Sequence, residues 1–157
     1  MSTDYDTLAR DLEALLGEER DLLANSANTC ALIFEKLPRL NWAGFYFRRG
    51  RELVLGPFQG KPACVRIGMG RGVCGTAAER RETMLVVDVH EFPGHIACDS
   101  ASRSEIVVPL LPGGTLAGVL DLDSPERGRF TSQDREGVEQ VAAVFVAATD
   151  FSPLLTD

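Results

Sequence analysis

The chain is expected to fold as one α+β domain, a six-stranded, mostly antiparallel sheet covered by helices. Three observations predict this. The 157 residues are 45% hydrophobic and 25% charged, the proportions of a single unit with one core and not of a disordered or low-complexity chain. Apolar residues recur at helical spacing near both ends, while the middle is a run of short β-rich segments broken by Gly and Pro. Strict alternation of strand and helix, the mark of a parallel sheet, is missing. Residues 1–157 are therefore read as one domain, with N-terminal helices over about 4–37, sheet and site over about 41–125, and a closing helix over about 132–149.

Each element has its own signal. Thr3 followed by Asp6 predicts a cap for a helix carrying Leu8, Leu12, Leu15 and Leu16 on one stripe, weakened at Gly17. Leu23, Ala27, Cys30, Phe34 and Leu37 predict a second helix with Cys30 on its buried face, stopped by Pro38. Asn41 to Arg48 and Glu52 to Phe58 read as strands joined near Gly50, and Ala63 to Ile67 as a third. A short helix over about Val73 to Arg80 follows a glycine cluster, and then an apolar strand from Met84 to Val89. The stretch Asp88 to Ser104 is too long for a plain connection in a compact domain, and it contains both histidines and Cys98. Glu105 to Leu111 and Leu116 to Asp123 form a hairpin across Pro112-Gly113-Gly114. Ser132, with Asp134 behind it, starts the last helix, whose Val138, Val141, Ala142 and Phe145 face the core.

Charge and cysteine usage narrow the function. Sixteen basic against twenty-three acidic residues leave a net charge of -7, which argues against nucleic acid or an anionic membrane as the main partner. The acidic N-terminus has no basic stretch followed by an apolar one, and apolar runs such as Val141 to Ala148 fall far short of the roughly 20 residues a bilayer span needs. A cytoplasmic protein is expected. There, four cysteines are too few for a disulfide scaffold, and thiols outside the core are more often catalytic, metal-binding or redox-active. Cys64, Cys74 and Cys98 lie in such positions.

Strand periodicity groups side chains around them. Trp42, Gly44 and Tyr46 share one face and Ala43, Phe45 and Phe47 the other. Two polar-tipped aromatics around a glycine leave room for a small ligand, or else pack under a helix as ordinary core. Leu120 and Leu122 face the core, so Asp121 and Asp123 project together on the side of Ala117 and Val119. Glu105 joins them if the hairpin register allows. Crowded carboxylates cannot all ionise easily; one can hold a proton near neutral pH and serve as an acid, and the group could equally bind an ammonium.

Two other patterns are weaker. Gly70-Arg71-Gly72-Val73-Cys74-Gly75 fits a dinucleotide fingerprint with Asp88 downstream, but the helix after it is short and hairpins follow instead of further strand–helix units. Tight-turn glycines, or a helix N-terminus facing an anion, account for it as well. A zinc set could be drawn from Cys64, Cys74, Cys98 and His90 or His95, yet no paired-cysteine knuckle supports it, and loop hydrogen bonding accounts for the histidines. Neither a metal nor a cofactor is assigned.

Several ordered strings carry a family resemblance. Asn41-Trp42-Ala43-Gly44-Phe45-Tyr46, Gly56-Pro57-Phe58-Gln59-Gly60, Ala63-Cys64 and Gly70-Arg71-Gly72-Val73-Cys74-Gly75 are followed by Asp88-Val89-His90 and by Phe92-Pro93-Gly94-His95-Ile96-Ala97-Cys98-Asp99. Ser104-Glu105-Ile106-Val107-Val108-Pro109 and Gly118-Val119-Leu120-Asp121-Leu122-Asp123-Ser124-Pro125 complete the set. Together they resemble the GAF-domain free methionine-(R)-sulfoxide reductases. The resemblance implies a single GAF domain that reduces the R-sulfoxide of free methionine without a cofactor, with thioredoxin as reductant, and it suggests a homodimer. It implies that Cys98 is the nucleophile, left as a sulfenic acid, with Cys64 as its disulfide partner and Cys74 as an alternative or a relay. Glu105, Asp121 and Asp123 would bind the substrate's polar groups, one protonated carboxyl helping the oxygen leave as water, while Trp42 and Tyr46 line the methyl and thioether end. Cys30 is not part of the pattern. The rival reading is a GAF-type sensor or binding module without turnover, which would have no need of a nucleophile and a resolving thiol.

Overall fold

The computed structural model describes residues 3–94 and 101–155. Helix α1 spans Tyr5–Leu16 and is capped by Asp4, whose carboxylate accepts from the Thr7 amide, and not by the expected Thr3 and Asp6 pair. Leu8, Leu12 and Leu16 are buried with Ala9; Leu15 falls at the solvent edge of the stripe and is 47% exposed. Helix α2, Leu22–Lys36, is capped by Asp21. Its buried face runs through Leu22, Ser26, Cys30 and Ile33, so Leu23, expected inside, is 67% exposed. Polar residues hide that face from a reading of hydropathy: the Ser26 hydroxyl donates to the Leu22 carbonyl and so is satisfied inside the core.

Six strands follow: β1 Trp42–Arg49, β2 Glu52–Gly60, β3 Arg66–Gly68, β4 Met84–Val86, β5 Ser104–Leu110 and β6 Gly118–Ser124. They form one sheet in the order β3-β2-β1-β6-β5-β4, and each neighbouring pair is antiparallel. The expected hairpin of β5 and β6 is present, turning through Pro112–Gly114. Two expected strands are shorter than predicted. The third begins only at Arg66: residues 61–65 are held by the Trp42 and Tyr46 side chains and by a backbone bond from the Leu55 amide to the Val65 carbonyl, instead of a continuous ladder. The fourth stops at Val86, where Asp88 turns the chain into a short 3-10 turn, Val89–Glu91, by accepting from the His90 amide.

The period of two along the strands sorts side chains into two layers. Ala43, Phe45, Phe47, Ile106, Leu120 and Leu122 pack against α1, α2 and the last helix, α4, Ser132–Ala148. Ala117 lies just before β6 and joins this layer, not the Val119 side as its spacing predicted. Helix α4 starts with a capping box between Thr131 and Asp134, and the Tyr5 hydroxyl donates to Asp134 from α1. On the opposite face, Trp42, Tyr46, Val107 and Val119 pack with helix α3, Gly72–Arg80, through Val73, Cys74, Ala77 and Ala78. That second layer contains the candidate site. No described helix is long and apolar enough to cross a membrane.

Candidate active site

Strand register brings the three acidic side chains together. Asp123 lies opposite Glu105 on β5 and opposite Trp42 on β1, while Asp121 lies opposite Val107 and Gly44. All three carboxylates thus project from neighbouring strands into the layer beneath α3. Glu105 is 8% exposed and Asp121 5%. Like charges opposite one another on a sheet are destabilising if both ionise, and burial adds to the cost. Burial first, and then the charges of Asp123 and Glu105, push the Asp121 carboxyl well above the ordinary carboxylate range. Its Oδ1 has no hydrogen-bond partner among the described residues. The site therefore favours the protonated form of Asp121 and leaves one buried acceptor without a partner among the described residues.

Cys74 completes this group from above. Its Sγ lies 3.8 Å from Glu105 Oε2, and Cys74, Glu105 and Asp121 offer donor atoms all within 4.8 Å of one another. This is the grouping with ion-holding geometry among the described residues; it includes neither Cys64 nor His90, so the sulfur–histidine set weighed from sequence is not assembled there. Burial and then the negative charge of Asp121, Glu105 and Asp123 push the Cys74 thiol well above its ordinary value. It stays protonated at neutral pH, and a thiol is a far weaker nucleophile than a thiolate.

The glycines around Cys74 serve close packing. Gly75 has no room for a Cβ, which would stand 2.5 Å from the Gly68 carbonyl, and the Gly70 amide donates to the Gly75 carbonyl. Gly70 and Gly72 have φ of +79° and +60°. This turn seats α3 against the end of β3, and Asp88, the acid of the apparent fingerprint, is engaged with Arg103 at 3.1 Å and Arg127 at 3.5 Å.

The aromatic face is present as expected, but the gap over Gly44 is filled. Trp42 stacks on Phe58 with centroids 5.2 Å apart and lies 5.9 Å from Tyr46. A Cβ on Gly44 would run into Phe58 and the Trp42 ring. Both polar tips are used on the chain itself: Trp42 Nε1 donates to the Lys61 carbonyl at 3.1 Å and the Tyr46 hydroxyl to the Cys64 carbonyl at 2.8 Å. Burial, then the charge of Asp121, raises the Tyr46 hydroxyl far above its ordinary value, so it remains a donor. The rings form a wall, and their tips hold the segment that carries Cys64.

Of the cysteines, Cys64 is disulfide-bonded, and Cys30 and Cys74 are free thiols. Cys30 sits in the helix-side core, where burial pushes its thiol up to about 11. Cys98 and His95 lie outside the described residues.

Two residues of this site went unnoticed as site residues in the sequence. Asn41 Nδ2 donates to Ser102 Oγ at 3.0 Å, and Ser102 donates in turn to Asp123 Oδ2 at 3.4 Å. Ser102 is buried although it lies in a polar stretch. A serine in a loop gives no signal of this; its role depends on where β1 and β6 meet the chain before β5. Replacing Ser102 by Ala should remove a fixed donor from Asp123 and weaken ligand binding about three- to tenfold, the effect of one net hydrogen bond. Titration calorimetry on the disulfide-bonded protein, with a small zwitterionic amino acid as ligand, checks this, and unchanged affinity would remove Ser102 from the site.

An antiparallel sheet of this order, with three helices on one face and a short helix roofing a polar site on the other, is the architecture of a GAF domain, and the GAF domain family model matches residues 5–148. The chain is 53% identical over 150 residues to the free methionine-R-sulfoxide reductase of Escherichia coli, covering 94% of this chain and 91% of that protein. The Saccharomyces cerevisiae free methionine-R-sulfoxide reductase is 44% identical over 138 residues, covering 83% and 77%. The crystal structure of the Neisseria meningitidis free methionine-R-sulfoxide reductase in complex with its substrate superposes with a TM-score of 0.91 at 40% identity, covering 99% of this chain and 96% of that one. The chain belongs to the GAF-domain free methionine-(R)-sulfoxide reductase family.

Proposed function

We propose that this protein reduces free methionine-(R)-sulfoxide to methionine. The observation that carries the reading is the set of buried Glu105 and Asp121 with half-buried Asp123, in which the Asp121 carboxyl is pushed up, walled by Trp42 and Tyr46 and set beside Cys74. It suits a small zwitterion with a sulfoxide: remaining carboxylate charge attracts the ammonium, the rings receive the methyl and thioether end, and the protonated carboxyl donates to the sulfoxide oxygen.

In this reading the Cys98 thiolate attacks the sulfoxide sulfur. The oxygen is transferred to Cys98 as a sulfenic acid, methionine leaves reduced, and the acid supplied by the carboxyl set balances the charge on oxygen. The Cys64 thiol then attacks the Cys98 sulfur, forming a disulfide and releasing water, and thioredoxin reduces that disulfide by thiol exchange. What supports Cys64 over Cys74 as the resolving thiol is that Cys64 is disulfide-bonded while Cys74 is free, buried among carboxylates and held protonated. Cys74 is better suited to hydrogen-bonding within the pocket. The cycle fits a reducing cytoplasm and needs no cofactor, and a homodimer suits the family. A sensor that binds without turnover has no use for the disulfide.

The test mixes reduced protein with each methionine sulfoxide epimer, free and peptide-borne, without added reductant. Methionine should form from the free R epimer with loss of two thiols per molecule of methionine. If no epimer consumes thiols or yields methionine, the reductase reading fails and the binding module stands.

A further inference from the structure

We propose that the Tyr46 hydroxyl is a positioning group for the resolving step, holding the Cys64 backbone so that the Cys64 thiol meets the oxidised nucleophile. This rests on the assignment of Cys64 as the resolving thiol. Residues 61–65 belong to no strand, and besides the disulfide at Cys64 three hydrogen bonds tie them down among the described residues: Trp42 Nε1 to the Lys61 carbonyl, Tyr46 to the Cys64 carbonyl, and the Leu55 amide to the Val65 carbonyl at 2.8 Å. Two of the three come from side chains of one strand. Val65 is 59% exposed, so the outer side of the segment faces solvent. On its inner side the Tyr46 ring is buried against Trp42, which is itself stacked on Phe58. A ring so confined gives its hydroxyl one direction, and that direction is the carbonyl of Cys64.

The step depends on placement. The Cys64 sulfur forms a bond to the Cys98 sulfur as the S–O bond of the sulfenic acid breaks, and the thiol proton leaves with the hydroxyl as water. No outside reductant enters, so the rate is set by thiolate fraction and by the approach of two sulfurs. Freeing the Cys64 carbonyl lets the thiol sample unproductive positions. The loss of one net hydrogen bond corresponds to roughly five- to tenfold in that rate.

Single-turnover experiments with free methionine-(R)-sulfoxide read the two steps separately, methionine release by rapid quench and sulfenic acid lifetime by trapping with a 1,3-dione. In Tyr46→Phe the ratio of resolving rate to methionine-release rate should fall roughly five- to tenfold, with sulfenic acid becoming trappable. An unchanged ratio overturns the proposal, as does an equal slowing of both steps, which would make Tyr46 a pocket wall alone. The Cys64→Ser variant separates the two levels of inference. It should accumulate sulfenic acid, and adding Tyr46→Phe to it should leave the sulfenic acid lifetime unaltered. If Cys64→Ser accumulates none, the assignment of Cys64 falls and this proposal with it; if it does accumulate but the Tyr46→Phe ratio is that of the unsubstituted protein, only the role of Tyr46 falls.

Discussion

Cys98→Ser is expected to lower methionine formation from free methionine-(R)-sulfoxide by at least about a thousandfold, because a serine hydroxyl is not ionised at neutral pH and is a far weaker nucleophile than a thiolate. Binding should survive, since the carboxylates and rings proposed to hold the ligand come from β1, β5 and β6 and not from residue 98. Calorimetry with the free R epimer and a methionine assay on the same sample check both halves. A variant that still turned over would transfer the nucleophile to Cys74 or Cys64. Cys74 is poorly fitted to take it, being buried and surrounded by three carboxyls that hold its thiol protonated.

The second large effect is at Asp121, where activity and stability should move in opposite directions. Asp121→Asn keeps the shape but removes the titratable carboxyl, and in the proposed reaction, with Asp121 as the acid, turnover should drop about a hundredfold, the usual worth of a positioned general acid. Stability follows from the sign of the pKa displacement. The folded protein raises the Asp121 carboxyl above its unfolded value of 3.8, first through burial and then through Asp123 and Glu105. Its contribution is therefore fully present below that unfolded value and is lost as pH rises towards the folded one. At pH 8 the asparagine variant should melt at least about 2 °C above the unsubstituted protein, the gap closing as pH falls toward 4. Thermal melts across that range decide it; a variant less stable than its parent at pH 8 would mean that Asp121 is ionised and paired. By the same sign, methionine formation in the unsubstituted protein should decline at alkaline pH as the shared proton is lost.

Much of this site was legible from the period of the strands. Alternation along Trp42 to Phe47 and along Leu120 to Asp123 sorts their side chains between the two layers, and the Pro112-Gly113-Gly114 turn joins the two strands so that Glu105 and Asp123 stand opposite each other. Where the reading missed, polar residues inside the fold were the cause. Apolar spacing places Leu23 in the core, yet Ser26 and Thr29 are the residues buried there, Ser26 bonded to its own helix backbone. The strand expected over Ala63 to Ile67 starts only at Arg66, because the Cys64 carbonyl is taken by the hydroxyl of Tyr46, far away in sequence, and not by a strand neighbour.

What the order of residues settles unaided is therefore local: which side chains share a face, where glycine and proline break the chain, and which chemical types are present. Three acids, two polar-tipped aromatics and three cysteines outside the helical core can be read from it. What depends on packing is how those groups act on one another. That the Asp121 carboxyl is pushed up, that Cys74 is a sheltered thiol, and that Trp42 and Tyr46 spend their polar tips on the backbone around Cys64 all depend on contacts between elements far apart in the chain. Charge costs and hydrogen-bond choices are set by distance and burial between residues remote in the chain, and neither quantity exists until the two layers meet.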